Sequence, residues 1–355
     1  MKILDLYIAK NYLKFFILVI AIPTILFSFF ELLSQLDSVG RGSYSIKDAI
    51  IFIILTTPRR LVDLTPISTL LAGIAALGRM ADHSELVAME AAGMSRQRII
   101  MSVIGACSLI MAAAVISSEY IVPPLEQNAR LMRAQALSSK GVTFTRKGFW
   151  AHRKGSFIHV GRIMGENTAA DIDIFTFDSR GNMEVFIHAR NAAITGRDHW
   201  VLHDVTRKTI KGMEIQTARL DKFDLPSFMT QEQVSALELP PETLSSPELI
   251  DYIHALEKSG QNADPYRLAL WRKASQPLTT EAMAMLALAF VFGSTRRRSA
   301  GFRITMGVFT GIVLYFFDQI TMHVGLLAGI RPAIVAFIPF SVISSLAFLR
   351  LRQVG

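Results

Sequence analysis

The sequence predicts an α-helical membrane protein with six transmembrane helices, three on each side of an inserted all-β, jelly-roll-like domain. Three observations carry that reading. The 355 residues are 51% hydrophobic and only 19% charged, against about 25% charged in soluble domains, and the mean hydropathy is +0.37. The charge is also uneven: residues 121–268 hold 18 basic and 18 acidic side chains, so the whole net charge of +8 belongs to the apolar remainder. Within the polar segment, hydrophobicity alternates with period two. A nucleic-acid-binding domain would carry its basic excess in the polar segment, so that class is excluded. One cysteine, Cys107 inside an apolar run, excludes an internal disulfide framework and a cysteine-rich zinc site.

A hydrocarbon core about 30 Å thick needs about 20 apolar residues of helix. Residues 15–30 are uncharged, follow Lys2, Lys10 and Lys14, and lack a small-x-small cleavage site, so they form a retained first span. The second run, 49–78, is too long for an upright helix and contains Pro58, Arg59, Arg60, Asp63 and Pro66. The third, 99–118, is uncharged. The fourth, 274–295, contains Glu281; the fifth, from 304, passes Asp318; the sixth is 332–349. Six spans put both termini on one side. Facing that side are Lys2, Lys10, Lys14, Arg79, Arg96, Arg98, Arg296, Arg297, Arg298, Arg303, Arg350 and Arg352, while the two short opposite loops offer Arg41, Lys47 and Arg331. The positive-inside rule therefore places both termini in the cytoplasm and the polar segment outside. The chain divides into a first transmembrane half, 1–136, an outside domain, 137–240, and a connecting helix with the second half, 241–355.

In the outside domain, residues 156–160 and 171–178 alternate apolar and polar. Ser179, Arg180, Gly181 and Asn182 make a turn, and 183–189 reads as the returning strand of a hairpin. Further strands are expected near 192–194, 200–205 and 213–220, a pattern suited to a β-sandwich or jelly roll. His152, His159, His188, His199 and His203 fall at strand positions expected to face solvent. Pro226, Pro240 and Pro241 mark the exit, and 247–258 reads as an amphipathic helix returning to the membrane.

The sequence contains no phosphate-binding P-loop, no HExxH and no GxSxG. It therefore predicts no cofactor of its own and no catalytic constellation. Intramembrane charges are more informative, because ionisable groups in lipid face a cavity or a partner. Arg59 and Asp63, one turn apart, form either an internal pair or a cationic lining for an anionic substrate. Glu281 and Asp318 read first as helix-capping or interfacial groups, with ion-pair partners or proton-linked groups as the alternative. Pro123 and Pro124 are expected to end one helix, with 125–137 beginning another. On that second helix Arg130 and Arg133 share a face, where Glu126 can pair with Arg130 or both guanidiniums can bind phosphate. Residues 79–98 form an inside loop in which Ser84 can cap a short helix, Leu86, Met89 and Met94 are its apolar positions, and Gly93 ends it. The loop helix is either solvated or docks into a partner's groove.

The strings DLYIAKNYLK, GRGSYS, SELVAMEAAGMSR, EQNARLMRAQAL, GFWAH, FIHVGRI, SGQNADPYRLALWRK and LYFFDQI together resemble the LptF/LptG (YjgP/YjgQ) permease family over nearly the whole chain. The resemblance implies a permease subunit of an ABC transporter that takes lipopolysaccharide from the outer leaflet of the inner membrane to a periplasmic bridge. The strings sit closer to the LptG branch, so the implied partners are the sister permease LptF, a cytoplasmic ATPase dimer, LptB, which binds the ATP and Mg, and the bridge proteins LptC and LptA. It makes 82–95 the coupling helix, with Ser84, Glu85, Leu86, Met89 and Glu90 as ATPase contacts. It makes Arg59, Arg130, Arg133 and Arg41 candidates for lipopolysaccharide phosphate, and spans one and five a lateral gate. One departure stands out: where the family carries lysines at the outer end of span one, this chain has Glu31, Asp37 and Ser38. Within the family the sister permease, LptF, is the competing assignment; outside it two rival classes remain, a membrane protein whose β domain only binds a partner and an intramembrane enzyme built on Glu281 and Asp318.

Overall fold

A computed structural model of the chain describes residues 2–137, 142–145, 148–153, 156–163, 168–178, 181–195, 199–211, 214–226, 240–258, 262–292 and 300–352. The helices are α1 (Lys2–Leu36), α2 (Ile46–Asp82), α3 (Glu85–Ala91), α4 (Arg96–Ile116), α5 (Val122–Leu137), α6 (Ser246–Lys258), α7 (Asp264–Phe292), α8 (Ala300–Leu327) and α9 (Pro332–Arg352). Two compact units emerge, one comprising residues 1–31, 56–125 and 241–355, the other 32–55 and 126–240.

The first unit is helical. Among the described residues five helical segments are long and apolar enough to cross a membrane: Ile3–Leu36, Ile46–Asp82, Arg96–Leu137, Ile304–Leu327 and Pro332–Arg350. The fourth expected span lies in α7, which carries Gln276, Thr279, Thr280 and Glu281 around its middle and so lacks the hydropathy of the others. The reason is its interior position. Ala282, Met283, Leu286 and Ala287 of α7 are buried together with Leu70 and Ile74 of α2, Leu314 of α8 and Ile343 of α9. Gly73 permits that approach: a Cβ there would stand 2.5 Å from the Cβ of Ala287. Helices at the rim need apolar surface instead. The most apolar window of α1 is 11% buried, against 67% for α2, and α1 exposes Ile17, Leu18, Ile22, Ile25 and Leu26.

Pro58 and Pro66 lie inside α2 without ending it. Pro123 and Pro124 do not end a helix either, contrary to the sequence expectation. A π-helical turn, Ser117–Ile121, precedes them, and the helix continues as α5. The wider turn displaces the carbonyls that a proline ring would strike, and a proline there gives up an N–H the irregular turn does not use.

In the second unit β1 (Val142–Thr145), β2 (Gly148–Arg153), β3 (Ser156–Ile163), β4 (Thr168–Phe177), β5 (Met183–Thr195), β6 (His199–Lys211) and β7 (Glu214–Pro226) form one antiparallel sheet in sequence order. The inserted all-β domain is thus present as an up-and-down meander, and the crossovers that define a jelly roll's Greek keys are not among its described pairings. The hairpin expected at 178–183 joins β4 to β5, with Gly181 at φ +83°. Ser179, Arg180 and Met213, like Thr295 and Arg296–Arg298, lie outside the described residues. Alternation, reset in β6 at Asp204 with φ 55°, puts Ile158, Val160, Ile172, Ile174, Ile187, Ala189, Trp200, Leu202 and Val205 on one enclosed face. Leu131 and Ala134 of α5 pack onto that face, which fixes how α5 presents its other residues.

Candidate functional site

The expected site residues fall into three groups. The first lies on α5 and the loop between α1 and α2, within the second unit. With Leu131 and Ala134 held by the sheet, Glu126, Arg130 and Arg133 occupy an adjoining face at i, i+4 and i+7. Arg130 Nη2 lies 3.0 Å from Glu126 Oε1, and the Glu126 side chain is 3% exposed, so a buried carboxylate compensates this guanidinium. Arg133 is placed differently. Its Nη2 donates to Ser38 Oγ at 3.4 Å, its Cζ stands 5.9 Å from the centre of the Phe52 ring, and its Nε is buried without a hydrogen-bond partner. Among the described residues no carboxylate lies within ion-pair distance of it. The loop is tied to the same helix end: Ser43 N and Oγ both donate to Ala136 O, at 2.7 and 3.1 Å. Gly42 lies at φ +60°, and a Cβ there would stand 2.5 Å from Ala136 O, so only glycine fits. The loop therefore brings exposed Arg41 to the end of α5 that carries Arg133. Ser38, one of the departures at the outer end of span one, serves here as a hydroxyl acceptor for that cation.

Arg59 belongs to the first unit. Its Nε lies 3.6 Å from Asp63 and its Nη2 lies 3.5 Å from Glu242. Neighbouring Arg60 donates to Ser28 Oγ at 3.3 Å and to Thr56 Oγ1 at 2.9 Å, and sits 3.9 Å from Glu31. Of the two readings of Arg59 from sequence, the ion-pair reading describes its geometry. Glu281 and Asp318 are not capping groups: Glu281 accepts from Ser108 Oγ at 2.7 Å, and Asp318 pairs with Arg272 at 3.0 Å. Both bonds run between helices. Cys107 is buried, with Sγ 3.8 Å from Thr280 O.

The third group is the segment around α3, also in the first unit. Ser84 is at φ 58° and makes no side-chain cap, so its expected capping role is not realised. The helix starts from a left-handed turn instead. Leu86, Met89 and Met94 are buried with Ile8 and Tyr12 of α1 and with Ile99 and Val103 of α4. Leu86 and Met89, expected among the partner contacts, thus anchor the segment to its own chain. The outward positions are Ser84, Val87, Ala88 and Ala91, which at i, i+3, i+4 and i+7 make one small, mostly apolar face. Glu85 accepts from Tyr7 Oη at 3.0 Å and Glu90 pairs with Arg96 at 3.0 Å.

Several interactions were invisible in the sequence because they join distant positions. Glu119, in the π-helical turn, accepts from Ser246 N at 2.8 Å and pairs with Lys273 at 3.0 Å. Asp5 pairs with Arg98. In the sheet, Asp173 lies between two of the expected surface histidines, 2.8 Å from His188 Nδ1 and 3.6 Å from His159 Nδ1. Among the described residues no group of three or more His, Cys, Asp or Glu is placed to hold a metal ion.

Comparison with known proteins bears on the family of the chain as a whole. The profile of the family described as "Lipopolysaccharide export system permease LptF/LptG" matches residues 6–353. The lipopolysaccharide export system permease protein LptG of Haemophilus influenzae is 34% identical over 337 residues, 95% of this chain and 94% of that protein. LptG of Escherichia coli K12 is 29% identical over 339 residues, again 95% and 94%.

Proposed function

The chain belongs to the LptF/LptG family of lipopolysaccharide export permeases, and from that premise we propose how its three residue groups serve lipid export. It is a multi-pass inner-membrane permease subunit of that system. In our reading it pairs with the sister permease LptF, is driven by a cytoplasmic LptB dimer, and passes lipid to the bridge proteins LptC and LptA. Both termini face the cytoplasm and the β domain faces the periplasm; the basic residues clustered at one set of span ends support this orientation.

Lipid A presents phosphates and acyl chains, so a permease must offer cations beside apolar surface. Arg133 leads the phosphate site. The observation that carries this assignment is its geometry: a partly buried guanidinium answered by a hydroxyl and an aromatic ring rather than a carboxylate. A phosphate oxygen supplies the missing charge, and the planar fork suits it. Arg41 and Arg130 stand in the same unit as supporting cations, Arg130 weakened by Glu126. Arg59, already paired with two carboxylates, contributes only once those pairs open.

Removing acyl chains from a bilayer costs about 0.8 kcal/mol per CH₂ exposed to water. The route therefore needs an apolar lining and an energy source. The aliphatic face enclosed by the sheet suits the first need. The outward face of α3, with its small side chains, suits docking of the ATPase, and Glu85 and Glu90 at its flanks suit basic groups there.

The test is extraction of lipopolysaccharide by the assembled complex in proteoliposomes. Arg133→Glu is expected to lower extraction at least about tenfold, since it places a carboxylate where phosphate is to bind, at a difference of about 1.4 kcal/mol or more. Arg59→Gln is expected to change it about threefold or less. Unchanged extraction by the Arg133 variant removes it from the site.

A further inference from the structure

α1 is a rim helix with little of its apolar surface covered, yet its N-terminal end is bound tightly. Asp5, Ile8 and Tyr12 lie on one face, three and four residues apart. Ile8 and Tyr12 are fully buried, in the same cluster as Leu86, Met89 and Met94 of the α3 segment and Ile99 of α4. Asp5 closes the end of that stripe with a carboxylate that receives three donors from α4: Arg98 Nη2 at 2.7 Å, Arg98 Nε at 3.1 Å and Ser102 Oγ at 2.9 Å. The first two form the two-pronged guanidinium–carboxylate contact that fixes orientation as well as distance. Two residues on, the Tyr7 hydroxyl donates to Glu85 of α3, and Glu90 of α3 pairs with Arg96 in the first turn of α4. α1, α3 and the start of α4 are thus lashed together by side chains from all three.

We infer that Asp5 and Tyr7 are positioning residues that make α1 follow the segment which receives the ATPase. The inference rests on the functional reading above and specifies where the push goes. A displacement of α3 reaches α1 through the Tyr7–Glu85 bond and the shared core of Leu86, Met89, Ile8 and Tyr12. A displacement of α4 reaches it through Asp5. α1 is 35 residues long and continuous through Pro23, about 50 Å at 1.5 Å per residue, so motion imposed at its N-terminal end is carried along the helix toward the other side of the membrane. The acid at position 5, set among Lys2, Lys10 and Lys14, has a stated task in this arrangement: it selects Arg98 and orients the helix.

The experiment uses the full chain in complex with the sister permease and the ATPase, in proteoliposomes containing lipopolysaccharide. Assembly, ATP hydrolysis and lipid extracted are measured separately. Asp5→Ala and Tyr7→Phe are expected to assemble as wild type and to hydrolyse ATP within about twofold of it. Lipid extracted per ATP is expected to fall about tenfold and about threefold respectively, the range of a typical coupling between two sites. Exchanging the charges, Asp5→Arg with Arg98→Asp, is expected to recover part of the loss. Tyr7→Phe removes one hydroxyl and keeps the packing, so it decides the matter if Asp5→Ala assembles poorly. An unchanged ratio of lipid to ATP in the variants overturns the inference while leaving the export function intact. A wild-type complex that recruits no ATPase or extracts no lipid instead overturns the functional reading, and this inference with it.

Discussion

The two stretches where α1 is held to the helical unit are built differently. At its N-terminal end a carboxylate and a guanidinium meet through two contacts of 2.7 and 3.1 Å, a serine adds a third, and two fully buried side chains sit directly behind. Toward its far end, Arg60 of α2 reaches Ser28 at 3.3 Å and Glu31 at 3.9 Å, with Ile25, Leu26, Phe29 and Phe30 around them exposed. One end is short, two-pronged and backed by a core; the other is longer and backed by open apolar surface. A helix fastened in this way pivots about its first three turns. Under the function proposed above, with α1 in a lateral gate driven from the cytoplasm, opening toward lipid needs that distribution of grip, which an evenly clamped helix does not provide.

The largest effect is expected from breaking the fastened end at its core. Tyr12 is fully buried and donates to Thr69 O at 3.0 Å. Tyr12→Ala removes an aromatic ring from a packed cluster, which in comparable cores destabilises by about 3–5 kcal/mol. Thermal unfolding of the purified chain in detergent is expected to show a large drop in midpoint, and Tyr12→Phe a small one, since only a hydrogen bond of about 1 kcal/mol is then lost. Equal drops for the two variants would mean that the hydroxyl, and not the packing, fastens this end.

A second, smaller break concerns the loop that follows α1, within the second unit. Gly42 combines a left-handed backbone with a Cβ position 2.5 Å from the carbonyl of Ala136. Gly42→Ala is expected to cost about 1–3 kcal/mol, since both the strain and the clash must be relieved by moving the loop. If the loop is what brings Arg41 to the end of α5, the variant is also expected to weaken crosslinking of lipopolysaccharide at position 41 more than at position 59. Crosslinking at the two positions that falls together would place the loop outside the phosphate site.

Much of this architecture was legible in the sequence, and the exceptions have physical causes. The apolar runs and the period-two segment are local signals, and each produced its element. The π-helical turn before Pro123 was not legible, because proline forecasts a break unless something upstream absorbs it. Interior helix α7 blurred the span count for a related reason: a helix surrounded by other helices is free to carry Gln276, Thr279, Thr280 and Glu281. The candidate site was half legible. Arg130 with Glu126 at i+4 is a local pair, and the structure contains it. Arg133 with Ser38 and Asp5 with Arg98 span more than 90 residues, a distance at which spacing carries no information. The family resemblance implies Leu86 and Met89 as partner contacts; their burial against Ile8 and Tyr12 joins positions too far apart for spacing to show.

The smallest effect is the most discriminating. Arg60 at the far end of α1 is 16% exposed and Glu31 is 35% exposed, so their pair at 3.9 Å contributes about 0–1 kcal/mol. Arg60→Ala is expected to leave the melting midpoint within a degree or two and assembly unchanged. Its signature lies elsewhere. If α1 pivots about its N-terminal turns, releasing the far end raises the population of the open helix. Cysteine labels placed at position 29 of α1 are then expected to be modified faster in the Arg60 variant, by about two- to fivefold for a shift of about 0.4–1 kcal/mol. Labels at position 6 are expected to keep their wild-type rate, because the pivot does not move. Acceleration at both positions would show α1 moving as a whole, and the contrast between its two ends would then be one of geometry without mechanical consequence.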